Sequence, residues 1–142
     1  MNKVLALFAI MVFATSCSTY TVTPESLKAQ FLAADPQIDD VKINDPLFHP
    51  SKINYSANRI KKIAVTDKQG LTSHLDNSPS IEMRITQKNG KRFVVYFDTV
   101  ELRNDTLSGS RSRYLGMPKK IPFDSIAKIE LQDGGKDYHY QN

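Results

Sequence analysis

Residues 4–14 form an unbroken apolar run, and beyond it the rhythm of apolar and polar positions changes several times. Thr23-Pro24-Glu25 reads as a helix start, with Thr as the cap, Pro at the first helical position and an acid in the first turn. Leu27, Phe31 and Ala34 then share one face, and Asp35-Pro36 stops the segment. That predicts a short amphipathic helix over 23–34, packed on the domain rather than lying in lipid, since Lys28 is its only base. Residues 35–58, with Pro36, Pro46 and Pro50, predict a loop-rich passage.

From 59 to 133 the pattern alternates with the period of β-strands. Ile63 and Val65 mark a first strand, closed by Asp67-Lys68-Gln69-Gly70, and a polar loop over 67–80 follows. Residues 81–87 and 91–98 then read as a hairpin around Lys88-Asn89-Gly90. A two-residue Asn-Gly turn would set Phe93, Val95 and Phe97 opposite Arg84 and Glu82. A three-residue loop with a Gly bulge instead pairs Ile85 with Phe93, Met83 with Val95 and Ile81 with Phe97. A one-residue slip moves every side chain to the other face, so the apolar pattern selects the three-residue loop. Apolar positions switch from odd (93, 95, 97) to even (100, 102), which requires a bulge or bend near Asp98-Thr99. Asn104-Asp105 makes a two-residue turn pairing Leu102 with Leu107, and 108–120 reads as a polar, basic loop. Residues 121–126 suggest a short helical turn. A last strand points Ala127, Ile129 and Leu131 inward and Lys128 and Glu130 outward, and 134–142 forms a tail in which Tyr138-His139-Tyr140 is either an edge strand or frayed.

These elements give a mainly β (α+β) fold: a small, strongly bent antiparallel sheet with one short N-terminal helix. Residues 81–133 resemble the small SH3-like or Sm-like β-barrels, chiefly through Leu102-Arg103-Asn104-Asp105-Thr106-Leu107-Ser108-Gly109 and through Ile121-Pro122 followed by Ile126 and Ile129. A two-layer arrangement, with the helix at 24–33 against the sheet, is the rival. Barrels of this kind serve as binding and assembly modules, although a fold alone does not select a function.

The N-terminus supplies an address. Lys3, the apolar run and the small residues after it have the layout of an export signal, and the run is too short to span about 30 Å of hydrocarbon as a helix. Ala14-Thr15-Ser16-Cys17 resembles the lipobox of bacterial lipoproteins, with Ala14 standing where that family prefers Leu. The resemblance implies cleavage between Ser16 and Cys17, a signal peptide over 1–16, and acyl chains such as palmitate on Cys17. Acylation leaves no thiol for a disulfide, a nucleophile or a metal ligand. Residues 17–22 then form a lipidated tether, of which 18–22 reach at most about 18 Å. No acid occurs in 18–22, which favours the periplasmic face of the outer membrane.

Cleavage ahead of Cys17 removes 16 of the 142 residues and leaves 126, enough for one domain. Lys3 is the only charge removed, so the formal net charge falls from +4 to +3, too mild to suggest nucleic acid as a partner. His49, His74 and His139 stand far apart without metal-ligand spacing, and Ser73-His74-Leu75-Asp76 cannot form a triad between sequence neighbours. Glu82, Glu101 and Glu130 alternate with core positions and point outward. Asp39, Asp40 and Asp45, with Asn44, are too irregular for a calcium loop and read as solvated acids. Arg111, Arg113, Lys119 and Lys120, with Tyr114 and Met117 among them, could touch an anionic surface or an acidic partner, or form a solvated loop. The expectation is a non-catalytic, lipid-anchored accessory or scaffold protein without metal or cofactor, its partner an envelope protein or the cell wall. A small-ligand or cell-wall-binding lipoprotein is the alternative.

Overall fold

The computed structural model describes residues 18–34 and 38–142. The signal peptide, Cys17 with its cleavage and lipidation, and the helix stop at Asp35-Pro36 lie outside the described residues. The elements in chain order are β1 (Thr19–Val22), α1 (Pro24–Ala33), β2 (Ile38–Asn44), β3 (Lys52–Asn58), β4 (Lys62–Thr66), β5 (Thr72–Asp76), β6 (Ile81–Gln87), β7 (Arg92–Tyr96), β8 (Glu101–Arg103), β9 (Thr106–Ser110), β10 (Pro118–Pro122), β11 (Ile126–Asp133) and β12 (Tyr140–Gln141). They form a six-stranded sheet ordered β5-β4-β1-β11-β6-β7 and two three-stranded sheets, β10-β9-β8 and β12-β2-β3. The fold is mainly β with one helix, and none of the sheets closes into a barrel.

Local chemistry places α1 as expected. Thr23 accepts a hydrogen bond from Ser26 N at 3.1 Å and Pro24 occupies the first turn. The helix buries Leu27 and sets Phe31 against Phe97, ring centres 6.0 Å apart. Its Gln30 side chain does a strand's work: Nε2 donates to Ala64 O at 3.0 Å and Oε1 accepts from Ala64 N at 2.8 Å. β1 pairs with β4 at Thr21 and Thr66, and Gln30 satisfies the backbone of β4 farther along.

The β6–β7 hairpin adopts the three-residue loop, with Ile85 opposite Phe93, Met83 opposite Val95 and Gly90 at φ 84°. Phe97 leaves the strand in a 3₁₀ turn (Phe97–Thr99) instead of pairing with Ile81. That turn is the bend demanded by the phase change, and it buries both Phe97 and Val100 completely. Asn104 and Asp105, at φ 49° and 54°, make the two-residue turn that pairs Leu102 with Leu107. The helical turn falls at Phe123–Ser125.

Four sequence expectations are corrected. The presumed tether is strand β1, held between β4 and β11; Tyr20 and Val22 face Leu131 and Ile129, and only a partner more than a hundred positions away reveals it. The loop-rich passage contains the hairpin β2–β3, in which Pro46 and Pro50 occupy the connection and Ile43, Ile53 and Ala57 turn inward. β5 lies within the polar loop 67–80 and pairs with β4. Both ends of the supposed basic loop belong to the β9–β10 pair, leaving 111–117 as connection. Of the two readings of the tail, the edge strand is the one found: β12 pairs Tyr140 with Ile43. One inward residue also changes: a bulge between Ile126 and Lys128 buries Ile126 and exposes Ala127.

Sixteen buried side chains, among them Leu27, Met83, Phe97, Leu107, Ile121 and Leu131, form the core shared by the helix and the two β-sheets β5-β4-β1-β11-β6-β7 and β10-β9-β8. Gly109 lets the smaller sheet cross the larger, since a Cβ there would lie 3.0–3.1 Å from Val95 and Val100.

Candidate functional site

Beside the core lies a knot of ionic and aromatic groups at the bend after β7. Asp98 is fully buried in the 3₁₀ turn, and the Arg113 side chain is 1% exposed. Arg113 Nη2 donates to Asp98 Oδ1 at 2.8 Å and to Pro79 O. Asp98 Oδ2 accepts from Tyr55 of β3 and, at 3.0 Å, from Tyr140 of β12. The guanidinium carbon lies 4.0 Å from the centre of the Tyr96 ring, 4.6 Å from Tyr55 and 5.7 Å from Tyr138. Its Nε and Nη1 are buried and have no hydrogen-bond acceptor among the described residues. Burial and the neighbouring Asp98 carboxylate push the Tyr55 and Tyr140 phenols well above their usual range, so both stay protonated and donate. Asn58 Nδ2 pins the same turn through Phe97 O at 2.8 Å and Val100 O at 3.0 Å.

The knot ties three segments together. The third sheet reaches it through Tyr55 and Tyr140, the β9–β10 connection through Arg113, and the large sheet through Tyr96. Lys136, from the C-terminal segment, donates to Glu82 at 2.7 Å and to Tyr96 Oη at 2.9 Å. Burial opposes its charge, but those two partners prevail and raise its pKa to about 12.

Two surfaces flank the knot. One is a groove between β3 and β8–β9, about 440 Å³ in volume, lined by Asn54, Ser56, Thr99, Glu101, Ser108 and Ser110 among others. Such a lining offers many hydroxyl donors and acceptors beside the apolar surface of Tyr55, Leu115 and Pro118. The other comprises the connections 45–51 and 111–117. Asp45, nearly buried, accepts from Leu47 N and Phe48 N at 3.0 Å each, from Ser51 Oγ at 2.9 Å and from Tyr114 Oη at 3.0 Å. Burial opposes its ionisation, but these hydrogen bonds outweigh it and hold the carboxyl below the usual range. Phe48 meets Tyr114 edge to face, centres 6.4 Å apart.

The sequence candidates therefore separate. Arg113 is removed from the surface set, because a side chain sealed under three tyrosines cannot reach a partner. Arg111 and Lys120 are exposed, Lys119 lies 4.2 Å over the Phe93 ring centre, and Tyr114 is committed to Asp45. Asp39 and Asp40 are exposed, the first paired with Arg59, whereas Asp45 is a buried acceptor rather than a solvated acid. Glu82, Glu101 and Glu130 are half-buried and paired with Lys136, Arg103 and Lys128. His49, His74 and His139 sit in a loop, on β5 and before β12. Among the described residues, no group of three His, Cys, Asp or Glu side chains could hold a metal. Asp98, Tyr55 and Tyr140 escaped the sequence reading. The signal for Asp98 was the phase break itself, which places a carboxylate between two inward apolar residues.

Fold and site together define a small mainly β protein built around a buried ionic–aromatic knot. No family model, curated protein or solved structure matches the chain.

Proposed function

We propose that the chain is a lipid-anchored accessory or scaffold module of the bacterial envelope, acting by presenting surfaces rather than by catalysis. The observation that carries this reading is the join between the lipobox-like sequence and the fold. β1 starts at Thr19 inside the large sheet, so only Ser18 separates Cys17 from a structural strand. An acylated Cys17 would hold the sheet within about 7 Å of its lipid linkage. Among the described residues no helix is long and apolar enough to cross a membrane. The absence of acids in 18–22 favours the periplasmic face of the outer membrane. A non-catalytic role is supported by the knot, whose buried carboxylate spends both oxygens on Tyr55, Tyr140 and Arg113.

The test is Cys17→Ala in the producing cell, with fatty-acid labelling and fractionation. Wild-type protein should take up label and sediment with the outer membrane; the variant should lose the label and leave the membrane fraction. A variant that stays in that fraction unlabelled would defeat the reading. The hydroxyl-lined groove between β3 and β9 favours a second reading, a module for a small polar ligand or a cell-wall segment.

A further inference from the structure

Thr19 pairs with Gln132, Gln132 with Glu82, and Glu82 with Tyr96, a row across four adjacent strands. Tyr96 therefore lies about 14 Å from the start of β1. From Tyr96 a line of aromatic contacts continues outward. Tyr138 stands edge-on to Tyr96 at 6.1 Å, the Tyr138 and Tyr114 side chains interact, and Tyr114 meets Phe48. This line ends on the connections 45–51 and 111–117. There Leu47 is 71% exposed, Phe48 67%, Leu115 76% and Met117 45%. Four large apolar side chains on two touching loops make a patch of the kind that marks an interaction site.

The loops are built to hold that patch outward. The four hydrogen bonds to Asp45 fix the first loop and join it to the second, and Arg111 N closes the second onto Met117 O at 3.0 Å. Charge is one-sided as well. Residues 45–52 and 111–120 contain five bases, Lys52, Arg111, Arg113, Lys119 and Lys120, against one acid, Asp45, which is nearly buried and spent on its own loop. Apolar side chains on segments that also carry exposed bases, with a tyrosine at their edge, suit the boundary between acyl chains and anionic headgroups.

We propose that this platform is a membrane-interface surface: Leu47, Phe48, Leu115 and Met117 enter the bilayer that holds the N-terminus, while exposed bases of the same segments meet its phosphates. The inference deepens the envelope reading and rests on it, because the residues ahead of Thr19 are what bring a bilayer to this side of the fold.

The chain contains no tryptophan, so a single one is a clean reporter. Phe48→Trp and, separately, Leu115→Trp are made in the full chain, with Lys88→Trp as reference in the β6–β7 turn, at the opposite end of β6 from Glu82. Each protein is reconstituted into phosphatidylglycerol–phosphatidylethanolamine vesicles containing brominated lipid. Both platform variants should shift to the blue and be quenched at least about twofold more than Lys88→Trp, as expected of side chains at acyl depth. Flotation with unshifted platform emission would overturn the platform alone and leave the anchor standing. Failure of the full chain to float would bring down both.

Discussion

Arg113 shows how little a local pattern says about one side chain. It stands two positions from Arg111 in the same connection, yet Arg111 is exposed and Arg113 is sealed beneath Tyr55, Tyr96 and Tyr138. Its partners come from four separate segments, so no short window of sequence separates the two arginines. Taking a buried charge pair out of water costs several kcal/mol per ion, and removing one member leaves the other uncompensated. Arg113→Met should therefore destabilise the protein by about 3–5 kcal/mol. Asp98→Leu should cost a similar amount, while the double variant should cost clearly less than the two summed. Urea unfolding of the four proteins tests this. Additive losses would mean that the pair is not the unit that holds the bend. The carboxylate of Asp98 at the apolar phase break was legible as a bend but not as a buried acceptor, because its donors arrive from β3, β12 and the β9–β10 connection.

Elements divide according to how far away their partners lie. The β6–β7 and β8–β9 hairpins, the helix cap and the bend at 97–99 were readable, since Gly90, Asn104-Asp105, Thr23-Pro24 and the apolar phase act within a few residues. β1, β5 and β12 are strands of two to five residues whose pairing partners, not their own sequences, define them. The hairpin β2–β3 was hidden by its prolines, which occupy the connection rather than the strands. Gln30 is the sharpest case of an element completed from outside: a helix side chain caps the β4 backbone at both Ala64 N and Ala64 O. Gln30→Ala leaves a donor and an acceptor without partners in a part-buried place, at a cost of about 1–3 kcal/mol. Amide exchange at Ala64 should accelerate more than at Ile63 or Val65, whose side chains remain in the core. Equal protection at Ala64 in both proteins would show that β4 does not depend on the helix.

At the scale of the molecule, the start of β1 and the apolar loops are linked by one continuous run of contacts, through Gln132, Glu82, Tyr96, Tyr138 and Tyr114. That line starts at the end of the large sheet where β1 begins, and the two proposed attachments differ in their physics. An acyl anchor holds through buried hydrocarbon and is insensitive to salt, whereas bases near a charged surface are screened within a Debye length of about 10 Å at 0.1 M and 3 Å at 1 M. Raising salt from low to molar concentration should therefore leave flotation of the Phe48→Trp protein intact while reversing part of its blue shift. Vesicles of neutral lipid should reproduce the high-salt emission at any salt concentration. Emission that ignores both salt and headgroup charge would remove Lys52, Arg111, Lys119 and Lys120 from the contact and leave the apolar side chains to dock alone.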